Sequence, residues 1–206
     1  MSLSVCRNLA LLALLCGLLS VAQGQTSRRT FVVAADGSGE FKTIQQAVDH
    51  VPENNSRQIV IQLKPGVYQE QVRVNKPHVT FRGEDAKKTV ITHKLSAQQA
   101  GNTRLAFAVY VNANDFRAEN VTFENSFGTG SQAVALFVDA ERATFEHCRF
   151  LGWQDTLFVN GSRHYFKDCY IEGHVDFIFA TASAVFQNCA IHSKGARYVT
   201  EHYRTS

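Results

Sequence analysis

Phe145-Glu146-His147-Cys148-Arg149-Phe150, Phe166-Lys167-Asp168-Cys169-Tyr170-Ile171 and Phe186-Gln187-Asn188-Cys189-Ala190-Ile191 repeat one pattern, Phe-x-x-Cys-x-apolar, with the cysteines 21 and then 20 residues apart. A period near 20 in a strand-rich chain marks stacked rungs, each too small to bury a hydrophobic face alone. Each rung should hold about three short strands, with equivalent residues stacked at the parallel-strand spacing of about 4.8 Å. The cysteines then form a ladder inside the coil, read here as small core residues. A Cys148–Cys169 bridge is the lesser alternative, since adjacent rungs lie within disulfide reach.

Moving outward from the repeat, the preceding chain breaks into short β-rich runs separated by Gly, Asn, Asp and Pro. They are Phe31–Val33, Ile59–Leu63, Val72–Val74, Val79–Phe81, Val90–Thr92, Phe107–Val111, Val121–Phe123 and Val134–Val138. One segment differs: from Thr43 to Val51 the apolar residues fall at 44, 47, 48 and 51, the stripe of an amphipathic helix, and Pro52 stops it. It is the one convincing helix beyond the first residues and the natural cap for the N-terminal end of a solenoid, whose ends expose unpaired backbone. After Tyr198-Val199-Thr200 the sequence runs to Ser206 with no matching cap, which reads as a fragment or truncated product.

The 206 residues are 45% hydrophobic and 19% charged, enough for one domain with a real core and unlike a disordered chain. Residues 1–24 stand apart: Arg7, the apolar run Leu9 to Val21, and Ala22-Gln23-Gly24 before Gln25 read as a secretory signal peptide. The run is shorter than the roughly 20 residues of a membrane-spanning helix, so no membrane segment is expected in the mature form. Cleavage would leave residues 25–206 as one domain with a charge of +2, too small to argue for nucleic acid. Asn54-Asn55-Ser56, Asn120-Val121-Thr122 and Asn160-Gly161-Ser162 are glycosylation sequons, meaningful only in a eukaryotic source.

The repeat also carries an acid. Asp155 follows Cys148 by seven residues, and Asp176 follows Cys169 by seven, so the two carboxylates should stack on neighbouring rungs. Like charges that close do not both ionise readily, so one carboxyl should hold its proton more tightly than the other. That asymmetry suits a nucleophile working with an acid/base partner. Turn aspartates that satisfy loop backbone are the plainer reading of either residue alone. Flanking aromatics at Trp153, Phe158, Phe177 and Phe179 suit sugar rings or, equally, a core. Gln154 beside Asp155, and Gln132 about one rung earlier, offer neutral amide donors to an oxyanion and favour acyl transfer over glycoside cleavage. His174, two residues before Asp176, reads as a solvated turn histidine. No tight carboxylate cluster suggests an inverting glycosidase or a calcium-dependent lyase.

Four blocks then line up in order: Ala35-Asp-Gly-Ser-Gly-Glu-Phe-Lys-Thr-Ile-Gln-Gln-Ala-Val, Gln132-Ala-Val-Ala-Leu, Phe150-Leu-Gly-Trp-Gln-Asp-Thr-Leu and Tyr170-Ile-Glu-Gly-His-Val-Asp-Phe-Ile-Phe. Together they resemble the signature blocks of pectinesterases from about Thr30 to Ser206. The resemblance implies an all-β, right-handed parallel β-helix and hydrolysis of galacturonate methyl esters in pectin, without a metal or other cofactor, by an exported protein expected to be a monomer. It implies Asp176 as nucleophile, Asp155 as general acid and then base, Gln132 and Gln154 as oxyanion donors, and Phe158 and Phe179 as groove-lining aromatics. The sequence departs from the family pattern in three places. Ala180 stands where a glycine is usual, Glu201-His202-Tyr203 replaces a glutamine-containing stretch, and the Leu-Gly-Arg-Pro-Trp block, whose arginine bonds the nucleophile, is not reached. An impaired or inactive β-helix that at most binds pectin is therefore the alternative expectation.

Overall fold

The computed structural model describes residues 29–195 and 198–202, so the expected leader lies outside the described residues. Three parallel sheets run side by side: seven strands from Thr30–Val33 to Ser183–Gln187, six from Gly66–Gln69 to Ala190–Ser193, and six from Val72–Val74 to Thr200–His202. The chain visits them in turn. Ala143–Glu146, Arg149–Leu151 and Leu157–Gly161 make one rung, and Arg163–Lys167, Tyr170–Gly173 and Ile178–Ala180 make the next. Every strand pair is parallel, which makes the fold a parallel β-helix.

The six-residue motif is the cross-section of one corner. Phe145 points into the coil in the first sheet, and Phe150 points into it in the second. Strict alternation over five positions would put them on opposite faces. His147 resolves the conflict by taking a left-handed backbone (φ 52°), as do Asp168 (53°) and Asn188 (52°) one rung later each. The chain turns there, and the cysteine that follows points inward. Phe145 pairs with Phe166 and Phe166 with Phe186, their rings stacked at 4.8 and 4.7 Å. Phe123 lies over Phe150 in the same way at 5.5 Å. Cys148 and Cys169 are buried, Cys189 is half-buried and all three are free thiols, as small core residues should be. Burial pushes the Cys148 thiol well above its ordinary range, which leaves it unreactive. The same corner one rung earlier, Ala118-Glu119-Asn120-Val121-Thr122-Phe123, hides from a cysteine search because Val121 fills the interior place.

The expected cap is present. Helix α1 spans Ile44–Asp49, opened by a capping box between Thr43 and Gln46. Ile44, Ala47, Val48 and Val51 close the core at the end of the coil. Glu70, from the neighbouring rung, accepts from the Ile44 and Gln45 backbone N–H groups at 2.8 and 3.0 Å, placing a negative charge at the helix N-terminus. A second helix corrects the expectation of a single one: α2, Ala97–Ala100, followed by a 3-10 turn at Thr103–Leu105. Four residues are too few for a periodic stripe, but the Ser96/Gln99 capping box and Gly101 in left-handed backbone (φ 91°) mark both its ends.

Candidate active site

Asp155 and Asp176 occupy the corner between the second and third sheets, on successive rungs and in the same register. Gln154 bridges Val175 directly, Leu157 pairs with Ile178, and the Asp155 N–H donates to the Val175 carbonyl at 3.2 Å. Both aspartates are half-buried and both take left-handed backbone, φ 63° and 46°. Aspartate tolerates that conformation better than most residues, and such backbone concentrates at working sites.

The turn that presents each acid folds tightly on itself. A Cβ on Gly152 would lie 2.5 Å from Thr156 Oγ1, and one on Gly173 would lie 2.1 Å from Phe177 Cβ. Glycine is therefore required at both points, 21 residues apart. Lys194 ties the two turns together: its Nζ donates to the Gly152 carbonyl at 2.8 Å, pairs with Glu172 at 2.6 Å and lies 4.7 Å above the Trp153 ring. Burial works against a charge on Glu172, but the bonds from Lys194 and Tyr170 outweigh it and hold the carboxyl below its ordinary 4.5. Nothing in the sequence flags Lys194, which is 42 residues from Gly152.

The glutamines share the corner. Gln154 precedes Asp155, and its carbonyl accepts from the Ala133 N–H at 3.0 Å, so Gln132 sits one rung below, half-buried. The Gln132 carbonyl accepts from the Ala97 N–H at 2.8 Å, which fastens α2 beside the site. Of the aromatics, Phe177 is core and fully buried, whereas Phe158 and Phe179 belong to a separate cluster outside the main core. There Tyr110, Phe137, Phe158 and Phe179 stack along the coil with centroids 4.6, 4.3 and 4.1 Å apart. Both faces of Phe158 are covered by its neighbours, so its edge is what remains to the outside. Phe137 precedes Phe158 by the same 21 residues that separate Phe158 from Phe179, a signal the period offers.

Two other residues sit differently from their expected settings. His174 is half-buried, its ring set edge-on to Trp153 at 5.9 Å, and is not a freely solvated turn residue. Ala180, where the family usually has glycine, lies in extended backbone in strand Ile178–Ala180 with no positive φ, so its Cβ is accommodated. Asn160, the sequon residue nearest the site, is buried and accepts from Thr181 Oγ1 at 2.8 Å. Among the described residues no group of three or more His, Cys, Asp or Glu side chains is placed to hold a metal ion. Nor is any helix among them long and apolar enough to cross a membrane.

The family model described as Pectinesterase matches residues 30–205, covering the coil from its first strand through both aspartates. This chain belongs to the pectinesterase family. Pectinesterase 31 of Arabidopsis thaliana is 44% identical over 187 residues, which is 84% of this chain and 59% of that protein. The solved pectin methylesterase from carrot is 40% identical with a TM-score of 0.77, over 79% of this chain and 52% of that one. A pectin methylesterase in complex with a hexasaccharide is 32% identical with a TM-score of 0.77, over 84% and 60%. This pectinesterase chain thus spans about three fifths or less of the length of the relatives it matches. The fold is the right-handed parallel β-helix of those structures, the hand that twisted strands impose on parallel crossovers.

Proposed function

We propose that this pectinesterase is a carboxylic ester hydrolase that removes methyl esters from galacturonate units of pectin, through Asp176 and Asp155. The observation that carries this reading is the shared register of the two half-buried aspartates on adjacent rungs, with Gln154 next to Asp155 and bridged to Val175 beside Asp176. Asp176 attacks the ester carbonyl as carboxylate. The amides of Gln132 and Gln154 donate to the oxyanion of the tetrahedral intermediate, where one donor is worth about 100- to 1000-fold in rate. Asp155 gives its proton to the departing methanol oxygen as the acyl-enzyme anhydride forms. It then takes a proton from water as that water attacks the acyl carbon and releases Asp176. Methyl transfer to the protein plays no part, and the chemistry needs no metal or organic cofactor.

Pectin as substrate accords with the hexasaccharide-bound relative and with the aromatic stack beside the acids. Residues 1–24 direct export, and the remaining domain acts as a monomer at the cell wall, or in the periplasm of a bacterial source. One observation favours a second reading, an impaired coil that at most binds pectin: among the described residues no arginine or lysine forms an ion pair with Asp176. Without a cationic partner the carboxylate is less well oriented for attack. Methanol release from methyl-esterified pectin separates the two. Turnover that disappears in Asp176→Asn establishes the esterase, whereas retained binding with no methanol at any pH establishes the second.

A further inference from the structure

The corner that presents Asp155 and Asp176 is built in two ways along the coil. On those two rungs it is a tight turn, opened by Gly152 and Gly173. On the two rungs toward the N-terminus it is wide: residues 94–106 carry α2, and residues 126–133 carry Gln132. Asn125 follows Glu124 as Gly152 follows Leu151, and Glu124 pairs with Leu151, so Asn125 holds the place that glycine takes one rung later. A wide loop does not brace itself as a tight turn does, and each backbone group it turns inward needs a partner.

Asn125 supplies those partners. Its side chain is buried and bonds to both loops. The amide donates to the carbonyls of Leu95 and Ala106, the two roots of the first excursion, at 2.9 and 3.3 Å, and to that of Val134, just past the second, at 3.1 Å. Its oxygen accepts from the Leu95 and Phe127 N–H groups at 3.4 and 3.2 Å. With both loops tied at their roots, α2 lies against the second. The Ala97 N–H donates to the Gln132 carbonyl at 2.8 Å, and the Gln98 N–H donates to Ser131 Oγ at 3.4 Å. From the other side the Gln154 carbonyl accepts from the Ala133 N–H at 3.0 Å. The Gln132 backbone is therefore held from the rung below and from the rung above. A glutamine side chain has several free rotors, and it aims well only from a fixed backbone.

We propose that Asn125 and α2 form a clamp that fixes the Gln132 backbone and so aims its side-chain amide at the Asp155/Asp176 corner, with Asn125 and the Ala97 N–H as positioning groups. This rests on the role given to Gln132 in the pectin reading above. Neither group touches the reacting atoms; both act through Gln132.

Asn125→Ala strips every one of those bonds from a buried site and tests folding as much as aim, so the decisive variant is Ala97→Pro. Ala97 is the first residue of α2, a position that suits proline, and Ser96 before it is extended (φ −99°, ψ 162°), as proline requires. The substitution removes one donor, and its ring takes the place of the proton that faces Gln132. Gly101→Ala is the control: it strains the left-handed residue that ends α2, where a Cβ meets nothing within 4 Å, and leaves the bond to Gln132 in place. In amide spin relaxation of the whole chain, the Gln132 side-chain amide is assigned by its loss in Gln132→Ala. It should be nearly as ordered as rigid backbone, with an order parameter of about 0.85, should drop below about 0.6 in Ala97→Pro and should hold in Gly101→Ala. In methanol release, Ala97→Pro should lower kcat about tenfold with KM within about twofold, and in a Gln132→Ala background the same change should cost less than about twofold. An amide equally ordered or equally mobile in Ala97→Pro and the unmodified chain, losses that multiply in the double variant, or an equal loss in Gly101→Ala would overturn the clamp. The amide is read without turnover: a chain that shows the change in order and releases no methanol retires the esterase and keeps the clamp.

Discussion

At the corner between the first and second sheets, Asn120, His147, Asp168 and Asn188 stack one per rung with φ of 56°, 52°, 53° and 52°; between the second and third sheets, Asp155 and Asp176 do the same with 63° and 46°. The backbone device is identical, and an aspartate appears at both corners. The surroundings differ. Asp168 faces an open groove of about 600 Å³ lined by Glu84, Asp85, Lys87, His147 and Arg149, a mixed-charge surface that screens its neighbours. Asp176 sits one rung from a second acid in matching register, with Gln154 next to that acid in the chain and an aromatic stack in the strands that follow. A left-handed aspartate is thus a turn residue by default and becomes a candidate for chemistry through what its rung stacks upon.

The sharpest break in this comparison is a matched pair of substitutions. Asp176→Asn should reduce methanol release by at least about a thousandfold and Asp155→Asn by about 100- to 10,000-fold, because the proposed nucleophile and the proposed general acid are lost. Asp168→Asn keeps the left-handed preference and should stay within about twofold. Equal losses at 168 and 176 would mean that both corners act only through the fold. Next in size, Phe166→Ala should cost about 3 to 5 kcal/mol in denaturant unfolding, since it empties the middle of a stacked row on which both corners rest.

A smaller effect should fall on one corner alone. Lys194→Met removes the tie between the Gly152 turn and Glu172 and should cost about 1 to 2 kcal/mol at neutral pH, between the surface and buried limits. Glu172 is held below its ordinary 4.5, so its stabilising contribution is present above that value and fades as the pH falls through the lowered one. The difference between Lys194→Met and the unmodified chain should therefore narrow in acid, to the part that the Gly152 carbonyl and the Trp153 ring contribute. A gap constant down to pH 3 would assign the loss to packing against Trp153. A change read in the rate alone, Gln154→Ala, should lower it by about 100-fold with little effect on stability if its amide serves the oxyanion. A loss of stability without a loss of rate would give it a purely structural place at the corner.

Residues alone determined the solenoid, its period, the capping helix at α1 and the pairing of Asp155 with Asp176. All of these follow from local periodicity, which a repeat writes several times over. Resemblance added the roles expected of Gln132, Gln154, Phe158 and Phe179, without the geometry that would support them. Tertiary structure alone decided that Phe177 is core while Phe158 and Phe179 lie outside it, that His174 packs on Trp153, and that Lys194 spans two turns. It also tied Asn125 to both roots of the excursion that carries α2, 30 residues away at one end and 19 at the other. Which face a side chain takes depends on where each corner resets the alternation of the strand, and which side chains meet depends on how the excursions between rungs return. Neither is set by composition or spacing within a single rung.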